Sequence, residues 1–165
     1  MTNHTAAGCP RQVRAGSQQA GRVYVLEDGY YALHGRPPGT PAPGAEFLLK
    51  GGQIAVFRRA GAAPALGIDA SGVGPVYAAP DGPLAVPTGL LFVRFAEGTS
   101  AAGRRVELER AGFELVQVPG YASHAAWVRA REGGIAASLH KMADAEALPG
   151  VENVEPQMLM ERAPR

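Results

Sequence analysis

The stretch Leu90-Leu91-Phe92-Val93-Arg94-Phe95 reads as a β-strand, and it opens the half of the chain that decides the fold. Its side chains alternate between two faces, and both faces are largely apolar. Two helix-like stretches and two more strand-like stretches follow, and residues 151–158 supply a last strand. The order β-α-β, β-α-β is typical of a ferredoxin-like split βαβ sandwich, in which an antiparallel sheet carries both helices on one face.

Local signals set the limits of the elements in this half. Thr99 or Ser100 can cap the first helix, and Gly112 stands where a left-handed residue would end it. The second helix begins near Gly134, because apolar residues follow it at helical spacing. The four strands are predicted at 90–95, 113–118, 125–130 and 151–158.

The first half of the chain has a different composition. Most of the 14 prolines precede Gly89, and together with many of the 22 glycines they favour short strands and turns. Residues 1–21 are polar and aperiodic, and we predict a disordered lead there. Residues 22–88 are predicted to form a small all-β module, joined to the second half by a linker at 86–89.

Two hairpins and two shorter strands are predicted within this module. Residues 22–26 and 30–34 flank a turn that contains Gly29, and residues 46–50 and 53–58 flank the pair Gly51-Gly52. Short strands are expected at 65–68 and 75–78. The fold class predicted for the whole chain is therefore α+β, with the all-β module before the sandwich.

Composition excludes several classes of function. The formal net charge is +1 and only 19% of the 165 residues are charged, so no field favours nucleic acid or an anionic membrane surface. No apolar run is long enough to span a bilayer, and no secretory apolar region precedes residue 20. The chain is therefore expected to be cytoplasmic by default, or secreted if its true start lies further upstream. Cys9 is the single cysteine, so an internal disulfide is excluded.

No pattern in the sequence predicts catalysis, a metal or another cofactor. Ser123 and His124 are the one adjacent Ser/His pair, but neighbouring side chains on an extended chain point in opposite directions. No His, Cys, Asp or Glu residues have a recognised metal-ligand spacing. We expect a chain that is not an enzyme.

One feature predicts a docking surface. In a split βαβ sandwich the helices cover a single sheet face, yet strands one and three offer large apolar residues to both sides. If Leu91, Val93 and Phe95 face the helices, Phe92 and Trp127 lie on the open face, where an apolar patch marks a binding surface. The predicted docking face consists of Phe92, Arg94, Trp127 and Arg129. Alternatively, the N-terminal β module packs on this face.

Three pieces of the second half carry a family resemblance. They are Leu148-Pro149-Gly150-Val151-Glu152-Asn153-Val154-Glu155-Pro156, Val93-Arg94-Phe95-Ala96-Glu97-Gly98-Thr99-Ser100, and Gly120-Tyr121 followed by an Ala-Trp-Val strand. Residues 90–160 thereby resemble the propeptide domain of subtilisin-like serine proteases, especially its fervidolysin-like branch. The resemblance implies a domain that serves as folding chaperone and inhibitor of such a protease, in cis or in trans.

The resemblance also implies roles for particular segments. The family's sheet packs on surface helices of the enzyme, and the extension after its last strand lies along the active-site cleft as a product-like peptide. The corresponding cleft-binding tail here is Gln157, Met158, Leu159, Met160, Glu161 and Arg162, with residues 159–165 extended beyond a domain at 89–158. An apolar, unbranched segment suits addition beside substrate-binding edges.

The sequence departs from the family at the connection between strands two and three. Family members commonly place an acidic or amide residue there to cap helix N-termini of the enzyme, whereas this connection offers Tyr121 and Ser123. Docking is therefore expected to be weaker or differently oriented. The alternative function is a non-catalytic binding or regulatory module that uses the open sheet face for self-association or to dock a partner.

Overall fold

The computed structural model of the protein describes residues 8–16, 21–59 and 72–161. Within these residues the chain is an α+β structure that consists mostly of antiparallel strands with a few short helices, which confirms the predicted class. The strands are β1 (Gln12–Ala15), β2 (Arg22–Leu26), β3 (Tyr30–Leu33), β4 (Phe47–Leu49), β5 (Ile54–Arg58), β6 (Val73–Gly74), β7 (Tyr77–Ala78), β8 (Leu84–Phe95), β9 (Phe113–Gln117), β10 (Ala125–Ala130) and β11 (Val151–Met160). The helices are α1 (Arg105–Arg110), α2 (Gly134–His140) and α3 (Met142–Glu146), with 3₁₀ turns at Lys50–Gly52 and Ala102–Arg104.

The chain divides into two compact units that are discontinuous in sequence. The first unit comprises Met1–Gln12, Tyr24–Pro87 and Met158–Arg165, and the second comprises Val13–Val23 and Thr88–Gln157. Strands β8 and β11 therefore each contribute residues to both units. Residues 86–89, predicted as a linker, belong to strand β8, where Val86 and Pro87 are fully buried. The division between the two units falls within this segment, between Pro87 and Thr88.

The first unit contains a four-stranded antiparallel sheet in the order β4-β5-β3-β6. Its core is a cluster of buried apolar residues, against which Leu159 of β11 also packs. The members of the cluster are Ala32, Leu49, Ile54, Val56, Val76 and Val86. In the same unit β7 pairs antiparallel with β2 and with the start of β8.

One predicted hairpin of this unit is confirmed and the other is wrong. Strands β4 and β5 pair across the 3₁₀ turn, where Gly51 has a φ of 62°. Strands β2 and β3 do not pair with each other: β2 joins β7, whereas β3 joins β5 and β6. The two strands diverge after the turn because burial of Tyr31 and Ala32 in the four-stranded sheet favours partners from later in the chain. The strand predicted at 65–68 lies outside the described residues.

In the second unit strand β10 lies between β8 and β9, and β11 pairs with β8. Both β8–β10 and β10–β9 are antiparallel. Helix α1 packs against β9 and α2 against β10. Leu91, Val93 and Phe95 of β8 are fully buried. Ala126 and Val128 of β10, the register partners of Val93 and Leu91, are also fully buried.

The helix limits follow the local signals closely. The Ser100 hydroxyl accepts a hydrogen bond from the Gly103 amide, and the chain then enters α1 through the 3₁₀ turn. Gly112 has a φ of 92° and ends that helix. Between β10 and α2 the buried Ser138 hydroxyl accepts a hydrogen bond from the Ala130 amide at 2.9 Å.

The predicted disordered lead also contains structure. Strand β1 lies at Gln12–Ala15, and its Val13 side chain is only 3% exposed. Burial of the Val13 side chain removes apolar surface from water and so favours the strand. The prediction missed it because the segment has no alternating apolar pattern. The described part of the chain contains no helix with the length and hydrophobicity that spanning a bilayer requires.

Candidate functional site

An aromatic pair lies on the sheet face of the second unit opposite to the buried residues of β8. Phe92 and Trp127 are register partners on β8 and β10, so their side chains project from the same face. Their ring centroids are 4.8 Å apart and the ring planes are tilted by 54°. Both side chains are half-buried, which leaves aromatic surface accessible to a partner.

Three further residues complete a small cavity beside this pair. Tyr121, Glu155 and Pro156 line it together with the two rings, and its volume is about 150 Å³. Tyr121 lies in the connection between β9 and β10 and is 84% exposed. Glu155 and Pro156 are in β11. From the sequence they were part of the family pattern only and were not predicted as site residues.

The two arginines of the predicted docking face have different environments. Arg129 of β10 lies opposite Glu114 of β9 and donates to its carboxylate at 3.0 Å. This hydrogen bond, with the arginine charge, holds the pKa of Glu114 below its ordinary value. Arg94 is exposed and lies opposite Ala125. The docking face therefore combines an aromatic centre with charged residues on both sides.

Ser123 takes part in the structure through its main chain. Its carbonyl accepts a hydrogen bond from the Ala101 amide at 2.9 Å, and the next carbonyl, that of His124, accepts one from the Phe95 amide. These bonds fix the β9–β10 connection next to the start of the 3₁₀ turn before α1. The Ser123 side chain is exposed, as a contact to a partner would require.

Four of the six residues predicted as the cleft-binding tail, Gln157 to Met160, lie in strand β11. Gln157 accepts a hydrogen bond from the Thr88 hydroxyl at 2.8 Å, and β11 continues to Met160. Leu159 packs against the apolar cluster of the first unit. Leu159, Met160 and Glu161 line one side of a cavity of about 460 Å³ in that unit. Arg162 lies outside the described residues.

The Leu-Pro-Gly-Val segment has a structural role within the chain itself. The Arg104 guanidinium donates to the Pro149 carbonyl and pairs with Glu107 at 2.5 Å. It also lies over the Phe95 ring, 5.1 Å from the centroid. The Gly150 carbonyl in turn accepts from the Ala96 amide at 3.0 Å. The segment thus joins the start of α1 to the start of β11.

Comparisons of the chain with family models, with curated proteins and with solved structures found no match. The resemblance to subtilase propeptides therefore stays a prediction that is based on the quoted residues. Among the described residues no group of three or more His, Cys, Asp or Glu side chains could hold a metal ion.

Proposed function

We propose that the second unit is a non-catalytic protein-binding domain of the subtilase-propeptide type, which docks on a subtilisin-like serine protease through the face around Phe92 and Trp127. The observation that carries the proposal is the accessible aromatic pair on one face of the sheet. The side chains on the opposite face are buried. Large rings at the centre of an interface commonly contribute most of the binding free energy.

The strand order supports the ferredoxin-like arrangement that this function needs. The order β11-β8-β10-β9 places the first and third strands of the unit side by side, as in a split βαβ sandwich. The helices α1 and α2 connect β8 to β9 and β10 to β11, which fits the same arrangement. A sheet of this kind has one face for its helices and one for a partner.

Inhibition through the tail requires a further step. Because Leu159 packs against the core of the first unit, the end of β11 must leave that cluster before it can enter an active-site cleft. Release gives up the half-buried Leu159 contact, which contributes on the order of 1 kcal/mol, together with the strand pairing of the last residues of β11, so docking must supply this free energy. We therefore assign initial docking to the sheet face and cleft occupation to the released tail.

The experiment is a titration of a panel of subtilisin-like proteases with the purified full chain, with binding and inhibition measured separately. Trp127→Asp should weaken binding by about tenfold to a hundredfold, because it places a charge in the aromatic centre. Tyr121→Asp, at a highly exposed position, tests the same surface without burial of the new charge. Val106→Asp on the exposed side of α1 is the matched control and should leave binding unchanged.

Truncation after Gln157 separates the two steps. The truncated chain should still bind but should no longer inhibit, while Trp127 fluorescence reports whether the second unit stays folded. Absence of binding to every protease, or equal effects of Tyr121→Asp and Val106→Asp, would contradict the proposal.

The second candidate function is self-association through the same sheet face. The observation that favours it is the apolar character of that face, with Val116 of the terminal strand β9 also 44% exposed. Sedimentation velocity distinguishes this function: a dimer that Trp127→Asp dissociates, together with no protease binding, would replace the first proposal.

A further inference from the structure

The cavity beside the aromatic pair has an unusual lining. Three of its five lining residues are aromatic, namely Phe92, Tyr121 and Trp127. Ring faces carry partial negative charge, and cations are attracted to them within about 6 Å of the centroid. The Phe92 and Trp127 rings are tilted by 54° to each other, and both line this small space.

A carboxylate provides the formal charge at this cavity. Glu155 is exposed on β11, and its Oε1 accepts a hydrogen bond from the Asn153 side-chain amide at 3.1 Å. That bond orients the carboxylate and leaves its negative charge in place. Pro156, next along the strand, adds an apolar wall without a competing donor.

The cations on the same face are not part of the cavity. Arg129 is paired with Glu114, and Arg94 is not among the lining residues. A positive group that enters between Tyr121 and Glu155 therefore meets aromatic faces and a carboxylate. A volume of about 150 Å³ suits a single side chain better than a length of peptide.

We propose that this cavity, the aromatic cage, binds the guanidinium of an arginine that a partner protein presents. A guanidinium is planar, stacks on aromatic faces and is more weakly hydrated than an ammonium, so it loses less on entering the cage. The inference rests on the proposed function in one respect: the arginine belongs to the protein that docks on the sheet face. The cage thus selects partners that have an exposed arginine opposite Trp127.

The experiment uses the single tryptophan of the chain as its probe. The full-length protein is titrated with the peptide acetyl-Ala-Arg-Ala-amide, and separately with the same peptide in which citrulline replaces arginine. Citrulline keeps the shape and removes the charge. We expect a saturable change in Trp127 emission, with the arginine peptide bound about threefold to tenfold more tightly than the citrulline peptide.

Two matched variants locate the charge effect. Glu155→Gln should reduce the preference for arginine over citrulline and leave citrulline binding unchanged. Glu152→Gln, on the same strand and also exposed but outside the cage, should leave the binding of both peptides unchanged. Tyr121→Leu should weaken arginine binding while thermal unfolding stays unchanged, because the side chain is largely exposed.

A linear, unsaturable emission change, or equal affinity for the two peptides, would overturn the inference. This failure is distinguishable from failure of the proposed function. If Tyr121→Asp weakens protease binding but the peptides show no preference for arginine, the docking face is supported and the aromatic cage is contradicted. If the arginine peptide binds selectively but no protease binds, the aromatic cage is supported and the protease is contradicted as partner.

Discussion

At the scale of single residues, His34 at the end of β3 has the most consequential environment. Its main-chain amide donates to the Gly72 carbonyl at 2.7 Å, whereas its Nε2 atom is buried without a hydrogen-bond partner among the described residues. Burial, and to a smaller extent the charge of Lys50, lowers the pKa of His34 below its ordinary value of 6.5. The folded protein therefore holds this imidazole neutral at pH 7.

This environment predicts acid sensitivity. Because the pKa of His34 is lower in the folded state than in the unfolded state, its contribution to stability is complete above pH 6.5 and is lost as the pH falls below that value. Urea unfolding at pH 7.5, 6.5 and 5.5 should show a steeper loss of the free energy of unfolding for the wild type than for His34→Gln. Parallel pH profiles for the two proteins would contradict this assignment.

At the scale of elements, the junction between α1 and β11 depends on Arg104. Its side chain is only 19% exposed and joins Glu107, the Phe95 ring and the Pro149 carbonyl. Short helices such as α1 gain most of their stability from contacts of this kind. Neighbouring Arg105 is exposed and provides a matched comparison of the same residue type.

Arg104→Ala should lower the free energy of unfolding by about 1–3 kcal/mol, because it removes charge-assisted hydrogen bonds and leaves the Pro149 carbonyl without this donor. Arg105→Ala should change it by no more than about 0.5 kcal/mol, as is usual for exposed substitutions. Chemical denaturation of the three proteins measures the difference. Equal effects of the two variants would show that the junction contributes nothing specific.

At the scale of the whole molecule, each of the two units is built from stretches that are separate in the sequence. The predicted boundaries at residues 22 and 89 pass through strands, and β1 contributes Val13 to the second unit. Val13 is 3% exposed and belongs to the second unit, although it lies about 75 positions before the main segment of that unit begins. Residues 89–158 alone are consequently an incomplete version of this unit.

Val13→Ala in the full chain should lower the free energy of unfolding by about 1–3 kcal/mol, because it removes buried methyl groups and leaves a small cavity. Gln12→Ala, at the exposed neighbouring position, should have little effect. Urea denaturation followed by Trp127 fluorescence reports on the second unit directly. A stability unchanged by Val13→Ala would mean that β1 is dispensable.

Local chemistry accounts for what the sequence predicted correctly. The Gly51-Gly52 turn, the Ser100 hydroxyl and Gly112 each act within a few residues, so the β4–β5 hairpin and the limits of α1 could be predicted. The alternation of side chains along a strand likewise predicted that Phe92 lies on the face opposite to the buried Leu91 and Val93. These features need no knowledge of distant partners.

The remaining features depend on pairings between distant residues. The separation of β2 from β3 follows from their partners β7 and β5, and no local signal encodes that choice. Glu155 and Pro156 reach the aromatic pair only because β11 pairs with β8. The Ser138–Ala130 hydrogen bond was missed for the same reason, since a serine on a helix ordinarily indicates an exposed position.

The five tyrosines of the chain differ widely in access to solvent. The Tyr77 hydroxyl is buried and donates to the Pro10 carbonyl at 2.7 Å, whereas Tyr121 is 84% exposed. Mild iodination or nitration should therefore begin at Tyr121. A covalent label would thereby be installed at the mouth of the aromatic cage without any engineered cysteine.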